Sequence, residues 1–140
     1  MNNESKESHT KKIILITGAS KGIGKAIAEK LGKNHILVLI ARNLGLLERV
    51  KESVNSFNGQ SILIQADVTN ESNVKNCIQQ VIKKYGTIDV LINNAGIGKF
   101  NRIEKFSQQD YHDIFNVNVL GTFLFTKYVV PIMIKKNMVR

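Results

Sequence analysis

A glycine-rich segment near the start of the chain is the part of the sequence best suited to hold a phosphate group. It consists of Thr17-Gly18-Ala19-Ser20-Lys21-Gly22-Ile23-Gly24. Glycines allow backbone angles that other residues avoid, and they let the main chain approach a pyrophosphate closely. A helix beginning here would add free amide groups and a partial positive charge. The segment therefore predicts an anion site, the alternative being a purely structural turn. The candidate residues are Gly18, Ser20, Lys21, Gly22, Ile23 and Gly24.

Other kinds of chemistry find less support in the sequence. The glycine spacing is Gly-x-x-x-Gly-x-Gly without the Gly-Lys-Ser/Thr ending of a P-loop, which disfavours a nucleoside triphosphate site. No Cys/His cluster has metal-ligand spacing, so we expect no metal. The single cysteine, Cys77, cannot form an internal disulfide, and this favours a reducing compartment. We predict a cytoplasmic location.

The charge and hydropathy of the chain indicate which classes of partner it could bind. The formal net charge of +9 would suit a nucleic acid or an anionic surface. The positive residues are mostly spread singly along predicted helices, and no recognition-helix, zinc or stacking-aromatic pattern accompanies them, so we expect no nucleic-acid partner. The apolar run Ile13 to Ile16 is too short for a signal peptide, and no other uninterrupted apolar stretch approaches a membrane span. We expect neither export nor membrane insertion.

The elements that must position these residues form an alternating pattern. Apolar runs rich in Ile, Leu and Val alternate with amphipathic segments, which is typical of β/α units built on a parallel sheet. Four strands are predicted, at Lys12 to Thr17, Ile36 to Ala41, Ser61 to Ala66 and Ile88 to Asn93. Helices are predicted from about Gly22 to Asn34, from Leu44 to Ser56, from Thr69 or Asn70 to the Gly86 break, and onward from Ser107. The fold class is therefore α/β, a doubly wound parallel sheet.

The last predicted helix begins with a recognisable cap. Ser107 can accept from the first free amides, and Asp110 stands three residues on as the return partner of a capping box. Pro131 removes one hydrogen bond inside this helix and should bend it.

Four motifs in order along the chain resemble those of the short-chain dehydrogenase/reductase family. The glycine segment has the family's spacing, and Asn93-Asn94-Ala95-Gly96 resembles its second motif. Asp67-Val68 resembles its adenine-contacting pair, and Val117-Asn118-Val119-Leu120-Gly121 resembles the surroundings of its catalytic Asn. The similarity extends from Lys12 to about Asn137. This part of the chain resembles the cofactor-binding part of 3-oxoacyl-carrier-protein or carbonyl reductases. It implies a Rossmann-type fold with strand order 3-2-1-4.

The resemblance implies roles, and each has a plainer alternative. Asp67 would accept from the adenine amino group and Val68 would offer its backbone to the ring edge, whereas Asp67 could instead cap the next helix. Asn93, Asn94, Ala95 and Gly96 would lie beside the cofactor, whereas they could simply form a turn. Asn118 would bend the helix and hold a water in a proton relay, whereas it could be an ordinary exposed helical residue.

The residues after the second strand predict which cofactor is bound. An NAD site places Asp or Glu there to accept from the ribose 2′-hydroxyl, and this chain has Ala41-Arg42-Asn43 instead. Arg42 and Lys21 supply cations for a 2′-phosphate, and Ser20 can donate a hydroxyl. We therefore predict NADP(H), the alternative being that both cations are ordinary surface residues.

The family's remaining catalytic residues are not found in the sequence. The resemblance implies a Ser and a Tyr-x-x-x-Lys pair, but the residues four after Tyr85, Tyr111 and Tyr128 are Asp89, Phe115 and Ile132. We therefore expect a C-terminally incomplete domain over residues 12–140, preceded by a polar tail over residues 1–11. We expect this chain alone to be inactive and poorly soluble, and the complete protein to form a homo-oligomer.

The function predicted for the complete protein is hydride transfer between NADP(H) and a small-molecule carbonyl or alcohol substrate. One alternative is a dinucleotide-binding module without catalysis. Another is a basic nucleic-acid binder, which would show a steep salt dependence of affinity.

Overall fold

A four-stranded parallel sheet organises the computed structural model of the chain, which describes residues 10–136. The strands are β1 (Ile13–Thr17), β2 (Ile36–Ala41), β3 (Gln60–Gln65) and β4 (Val90–Ile92). Their order is β3-β2-β1-β4, and all pairs are parallel. This order brings the carboxyl ends of β1 and β4 together, and it confirms the fold and the strand order expected from the sequence.

Within residues 10–136, five α-helices connect and follow the strands. They are α1 (Gly22–Leu31), α2 (Leu44–Ser56), α3 (Glu71–Tyr85), α4 (Gln108–Phe115) and α5 (Gly121–Lys135). A π-helical turn, Asn116–Leu120, joins α4 to α5, and a 3₁₀ turn, Ile103–Lys105, precedes α4. Their caps follow residue chemistry: Ser107 and Asp110 form the predicted capping box, and Gly86 ends α3 with a φ of 72°.

The sheet separates two apolar layers, because alternate side chains of a strand point to opposite faces. Leu15 of β1 belongs to the layer that packs on α3 and α5, with Phe125 fully buried. Ile16 belongs to the layer that packs on α1 and α2. Burying a side chain such as Phe125 contributes about 1.5–3 kcal/mol. Cys77 lies in the first layer, where burial raises the pKa of its thiol to about 12, so it is a core residue as predicted.

The structure adjusts several predicted boundaries. Helix α1 ends at Leu31 rather than near Asn34, because a turn follows its C-cap Gly32, in which the amides of Asn34 and His35 both donate to Leu31 O at 3.1 Å. Strand β4 ends at Ile92, because the next backbone groups bind a side chain of β1 described below. The predicted N-terminal tail lies outside the described residues except for its last two, and so do residues 137–140 of the predicted domain.

One continuous helical stretch in the described part of the chain meets the length and composition of a membrane span. It runs over Gln108–Lys135, 28 residues with a mean hydropathy of 1.6 in its most apolar window, of which 22% is buried inside the protein. A core helix of a soluble protein meets the same criteria, so this is weak evidence. The expected absence of membrane insertion therefore stays a prediction.

Candidate functional site

The glycine segment forms the turn between β1 and α1, and its geometry requires glycine at two positions. Gly18 has a φ of 64°, and a Cβ built there would lie 2.7 Å from Ala95 Cα. Gly24 is buried, and its Cβ would lie 2.5 Å from Asn94 Nδ2. Real Cβ atoms do not approach other atoms this closely, so the absence of side chains is what lets the turn, the helix and the end of β4 meet.

The first turn of α1 is open to an anion. Its N-cap, Lys21, makes no side-chain hydrogen bond to the helix, and no acidic residue lies in the first turn. By contrast, α2 is capped by the Asn43 side chain, which accepts from Leu46 N at 3.0 Å. Among the described residues the opening amides of α1 therefore have no side-chain acceptor at the N-cap, and a phosphate suits that position.

A buried hydroxyl ties the ends of β1 and β4 together. Thr17 is 2% exposed, and its Oγ1 accepts from the backbone N–H groups of Asn94 and Ala95, each at 3.0 Å. The Asn94 side chain completes the link, since its Nδ2 donates to the carbonyl oxygens of Thr17 and Gly18 at 3.2 and 3.1 Å. These contacts fix the Asn94 segment against the glycine turn.

A cavity of about 950 Å³ opens at the carboxyl ends of the strands, where open α/β sheets bind ligands. It brings together most of the residues predicted for a cofactor, namely Gly18, Ser20, Lys21, Gly22, Ile23, Arg42, Asp67, Val68, Asn94, Ala95 and Gly96. Three predicted residues do not line it: Gly24, Asn93 and Asn118. Gly24 instead lies against the Asn94 side chain and so supports the turn without lining the cavity. Among the described residues no group of His, Cys, Asp and Glu is placed to hold a metal ion.

Two cations line this cavity, Arg42 directly after β2 and Lys21 in the glycine turn. Arg42 and Lys21 both line it and are both exposed. No Asp or Glu lies between Ala41 and Leu47. The segment after β2 therefore offers the cavity a cation and no carboxylate.

Asp67 and Val68 form the wall of the cavity on the Arg42 side, because they follow β3, the strand that pairs with β2. The Asp67 side chain does not cap α3, because Asn70 is the N-cap of that helix. Its Oδ1 instead accepts from the Thr69 amide and hydroxyl at 2.9 and 2.8 Å. Val68 packs against Gly121 so closely that a Cβ at Gly121 would lie 2.6 Å from Val68 Cγ2. Glycine at 121 thus lets the helix following the π-helical turn support this wall.

Both polar atoms of the Asn118 side chain hold a loop. It lies in the π-helical turn, where its Oδ1 accepts from Ile97 N at 2.8 Å and its Nδ2 donates to Ile97 O at 3.0 Å. A widened turn of this kind is common at functional sites. Ile97 itself lines the cavity, so Asn118 acts on the cavity through this neighbour.

Some residues at the site were missed or placed differently by sequence reasoning. Asn93 turns away, with Nδ2 donating to Thr126 Oγ1 of α5 at 3.1 Å. Thr17, Gln65 and Ile97 were not predicted as site residues. Thr17 was visible as a polar residue ending an apolar strand, whereas nothing in the sequence distinguished Gln65 or Ile97.

Comparison with known proteins shows that the chain is similar to oxidoreductases in sequence and fold. A family model described as short chain dehydrogenase matches residues 12–139. A 3-oxoacyl-(acyl-carrier-protein) reductase from Staphylococcus epidermidis is 35% identical over 128 residues, which cover 90% of this chain and 52% of that protein. The alcohol dehydrogenase of the archaeon Thermococcus sibiricus, solved with 5-hydroxy-NADP, superposes with a TM-score of 0.85 and 32% identity over 90% of this chain and 55% of that one.

A third similarity concerns the other nicotinamide cofactor. NAD⁺-bound xylitol dehydrogenase superposes with a TM-score of 0.88 and 32% identity, covering 94% of this chain and 51% of that one. Similar proteins thus carry both nicotinamide cofactors. The chain spans about half the length of the proteins it matches.

Proposed function

The chain belongs to the short-chain dehydrogenase family, and from this membership we propose that it binds NADP(H) for an oxidoreductase that transfers a hydride between the nicotinamide and a small-molecule carbonyl or alcohol. The observation that carries the proposal is the cavity itself. An uncapped helix and a turn that only glycine can form occupy one side of it, and Arg42 stands where an NAD site would place a carboxylate.

The described residues fit such a cofactor. The amides opening α1 would hold the pyrophosphate, because a Cβ-free turn leaves them accessible. Arg42, Lys21 and Ser20 would hold the 2′-phosphate, and Asp67 with Val68 would contact the adenine. The proposed binding residues are those predicted from the sequence: Gly18, Ser20, Lys21, Gly22, Ile23, Gly24, Arg42, Asp67, Val68, Asn93, Asn94, Ala95 and Gly96.

The reaction itself belongs to the cofactor, which when bound supplies or accepts the hydride. What this chain contributes is binding and orientation. Asn118 holds the backbone of Ile97 through both ends of its amide, and so shapes the wall beside Gly96. A direct part of Asn118 in proton transfer stays a prediction. The sequence contains no Tyr-x-x-x-Lys pattern, so we expect the 140-residue chain to bind cofactor without turnover.

An exposed apolar stripe supports the proposal of a homo-oligomer. Phe115, Val119 and Phe123 follow one another at four-residue spacing and are 46%, 55% and 55% exposed. Contiguous exposed apolar side chains of this kind mark interaction surfaces. A cytoplasmic location and a Rossmann domain over residues 12–140 complete the proposal.

Titration of the purified chain with NADPH and with NADH tests the proposed cofactor. We expect NADPH to bind at least about tenfold more tightly, because a 2′-phosphate gains charge-assisted hydrogen bonds worth more than 1.4 kcal/mol. Arg42→Ala should remove most of that preference while leaving NADH affinity unchanged. Equal affinity of the wild-type chain for the two cofactors would contradict the assignment to NADP(H).

A further inference from the structure

Gln65 makes a contact that neither the core nor the sheet requires. It is the last residue of β3 and is exposed, so it does not contribute to either apolar layer. Its side chain reaches the segment that follows the neighbouring strand β2, where Nε2 donates to the carbonyl oxygen of Arg42 at 2.8 Å. It also lines the cavity, next to Ala66 and Asp67. Gln65 therefore links the wall of the cavity to the backbone of Arg42.

The segment that carries Arg42 is fixed on both sides of this contact. Before it, the carbonyl oxygen of Ala41 accepts from Ala66 N at 3.1 Å. After it, Asn43 caps α2 through its side chain. The Arg42 carbonyl lies between these two points, and Gln65 supplies its hydrogen bond. Without Gln65 this carbonyl would turn toward solvent, and the peptide plane between Arg42 and Asn43 would rotate more freely.

The Arg42 side chain depends on its backbone for its direction. Within the part of the chain that the structure describes, its guanidinium makes no hydrogen bond or ion pair with another side chain. A long flexible side chain without such an anchor loses considerable rotamer freedom on binding an anion. A fixed backbone lowers that cost, because fewer orientations must be given up.

We infer that Gln65 is a positioning residue for the 2′-phosphate subsite, where it holds the carbonyl of Arg42 and thereby directs the guanidinium toward the phosphate. The inference rests on the proposed function, since it assigns Arg42 to that phosphate. It makes selectivity for NADPH over NADH a property of two residues on adjacent strand ends, of which only one touches the phosphate.

Substitution of Gln65 by methionine tests this with little change of shape. Gln65→Met keeps the length of the side chain and removes the donor. We expect the ratio of NADH to NADPH dissociation constants to fall about three- to tenfold, which corresponds to one lost hydrogen bond, with NADH affinity unchanged. Gln60→Met, at the other exposed end of β3, is the matched control and should leave the ratio unchanged.

A double variant separates positioning from a direct contact. If Gln65 acts through Arg42, Gln65→Met should add nothing to the loss already caused by Arg42→Ala. Independent losses that multiply would show a direct contact of Gln65 with the cofactor and overturn the inference.

Amide hydrogen exchange of the cofactor-free chain gives a second readout. Exchange at Leu46, whose amide donates to Asn43, should be several-fold faster in Gln65→Met and unchanged in Gln60→Met. Unchanged exchange together with unchanged selectivity would overturn the role of Gln65 and leave the proposed cofactor standing. A wild-type chain that does not prefer NADPH would overturn the proposed cofactor, and with it this inference.

Discussion

Asn118 holds Ile97 through both backbone groups of that residue, so a single amide side chain joins the π-helical turn to the loop that follows β4. The two hydrogen bonds resemble a backbone pair between neighbouring strands, but here a side-chain amide takes the place of one of the two backbones. The contact keeps Ile97 on the cavity wall even though Asn118 does not itself line the cavity.

Replacing Asn118 by alanine should destabilise the chain and loosen this loop. The two lost hydrogen bonds lie at an exposed site, so we expect the free energy of unfolding in urea to fall by about 1 kcal/mol. Asn116→Ala, an exposed position in the same turn, is the control and should change it by less than about 0.5 kcal/mol. Equal effects of the two substitutions would show that the Ile97 contact has no particular weight.

Thr17→Val should lower the free energy of unfolding more than Asn118→Ala does, because it leaves the partly buried N–H groups of Asn94 and Ala95 without this acceptor. Valine has nearly the shape of threonine, so the change isolates the hydroxyl that accepts from Asn94 and Ala95. We expect a loss of about 1–3 kcal/mol in urea unfolding, together with weaker NADPH binding. Thr87→Val, whose hydroxyl makes only a 3.4 Å contact to Asp89, is the matched control. A stable Thr17→Val chain with unchanged affinity would argue against the link between the two strand ends.

Two glycine substitutions separate backbone strain from steric conflict. Gly18 and Gly22 have similar positive φ values, 64° and 56°, but a Cβ at Gly22 would meet nothing within 4 Å. Gly22→Ala should therefore cost only about 1–2 kcal/mol of strain. Gly18→Ala carries the same strain and a collision with Ala95, so its melting temperature should fall further. The reverse order in a thermal melt would contradict the described packing of the turn on Ala95.

The contacts of Glu71 predict a dependence of stability on acid. The pKa of Glu71 lies below its ordinary value of 4.5, because its carboxylate accepts from the Tyr128 hydroxyl and then from the Lys127 ammonium at 3.0 Å. A lowered pKa in the folded state stabilises the protein above the ordinary value, and that contribution is lost as pH falls through the lower one.

Glu71→Gln should consequently reduce the acid sensitivity of the chain. We expect the free energy of unfolding to decrease less between about pH 6 and about pH 3 in this variant than in the wild type. Glu48→Gln, on α2 and without an ion pair among the described residues, should follow the wild-type curve. Parallel curves for wild type and Glu71→Gln would show that the contact between α3 and α5 contributes nothing.

The apolar stripe before and along α5 predicts self-association. Phe123→Ser removes a large exposed side chain from that stripe and should shift the chain toward monomer in sedimentation velocity. Phe57→Ser is the matched control, since Phe57 is 48% exposed at the end of α2 and outside the stripe. A wild-type chain that is already monomeric at all concentrations would contradict the proposal.

Much of the fold was predictable because the relevant forces are local. The apolar runs of β1 and β2 and the capping residue Ser107 are local signals, so these strand positions and the start of α4 follow from residue types. The order of the strands could be predicted only from the resemblance to a known family, because the residues of a strand do not determine which strand it pairs with.

The parts of the site that were missed depend on contacts between distant residues. Gln65 meets Arg42 across 23 positions and Asn118 meets Ile97 across 21, and no local pattern announces either pair. The π-helical turn likewise could not be predicted from the spacing of the apolar residues. It adds one residue to a turn, which rotates the helix after it relative to the helix before it, and a periodic pattern averages over this change.

The division of the interior by the sheet has a thermodynamic consequence for ligand binding. The glycine turn extends from the layer of α1 and α2, whereas Val68 and Val117 belong to the layer of α3 and α5. A molecule that fills the cavity touches both, and so acts as a noncovalent crosslink between halves that are otherwise joined through the sheet. Saturating ligand should then make the two layers unfold in one sharper transition, and their slowest amides should become protected to the same degree.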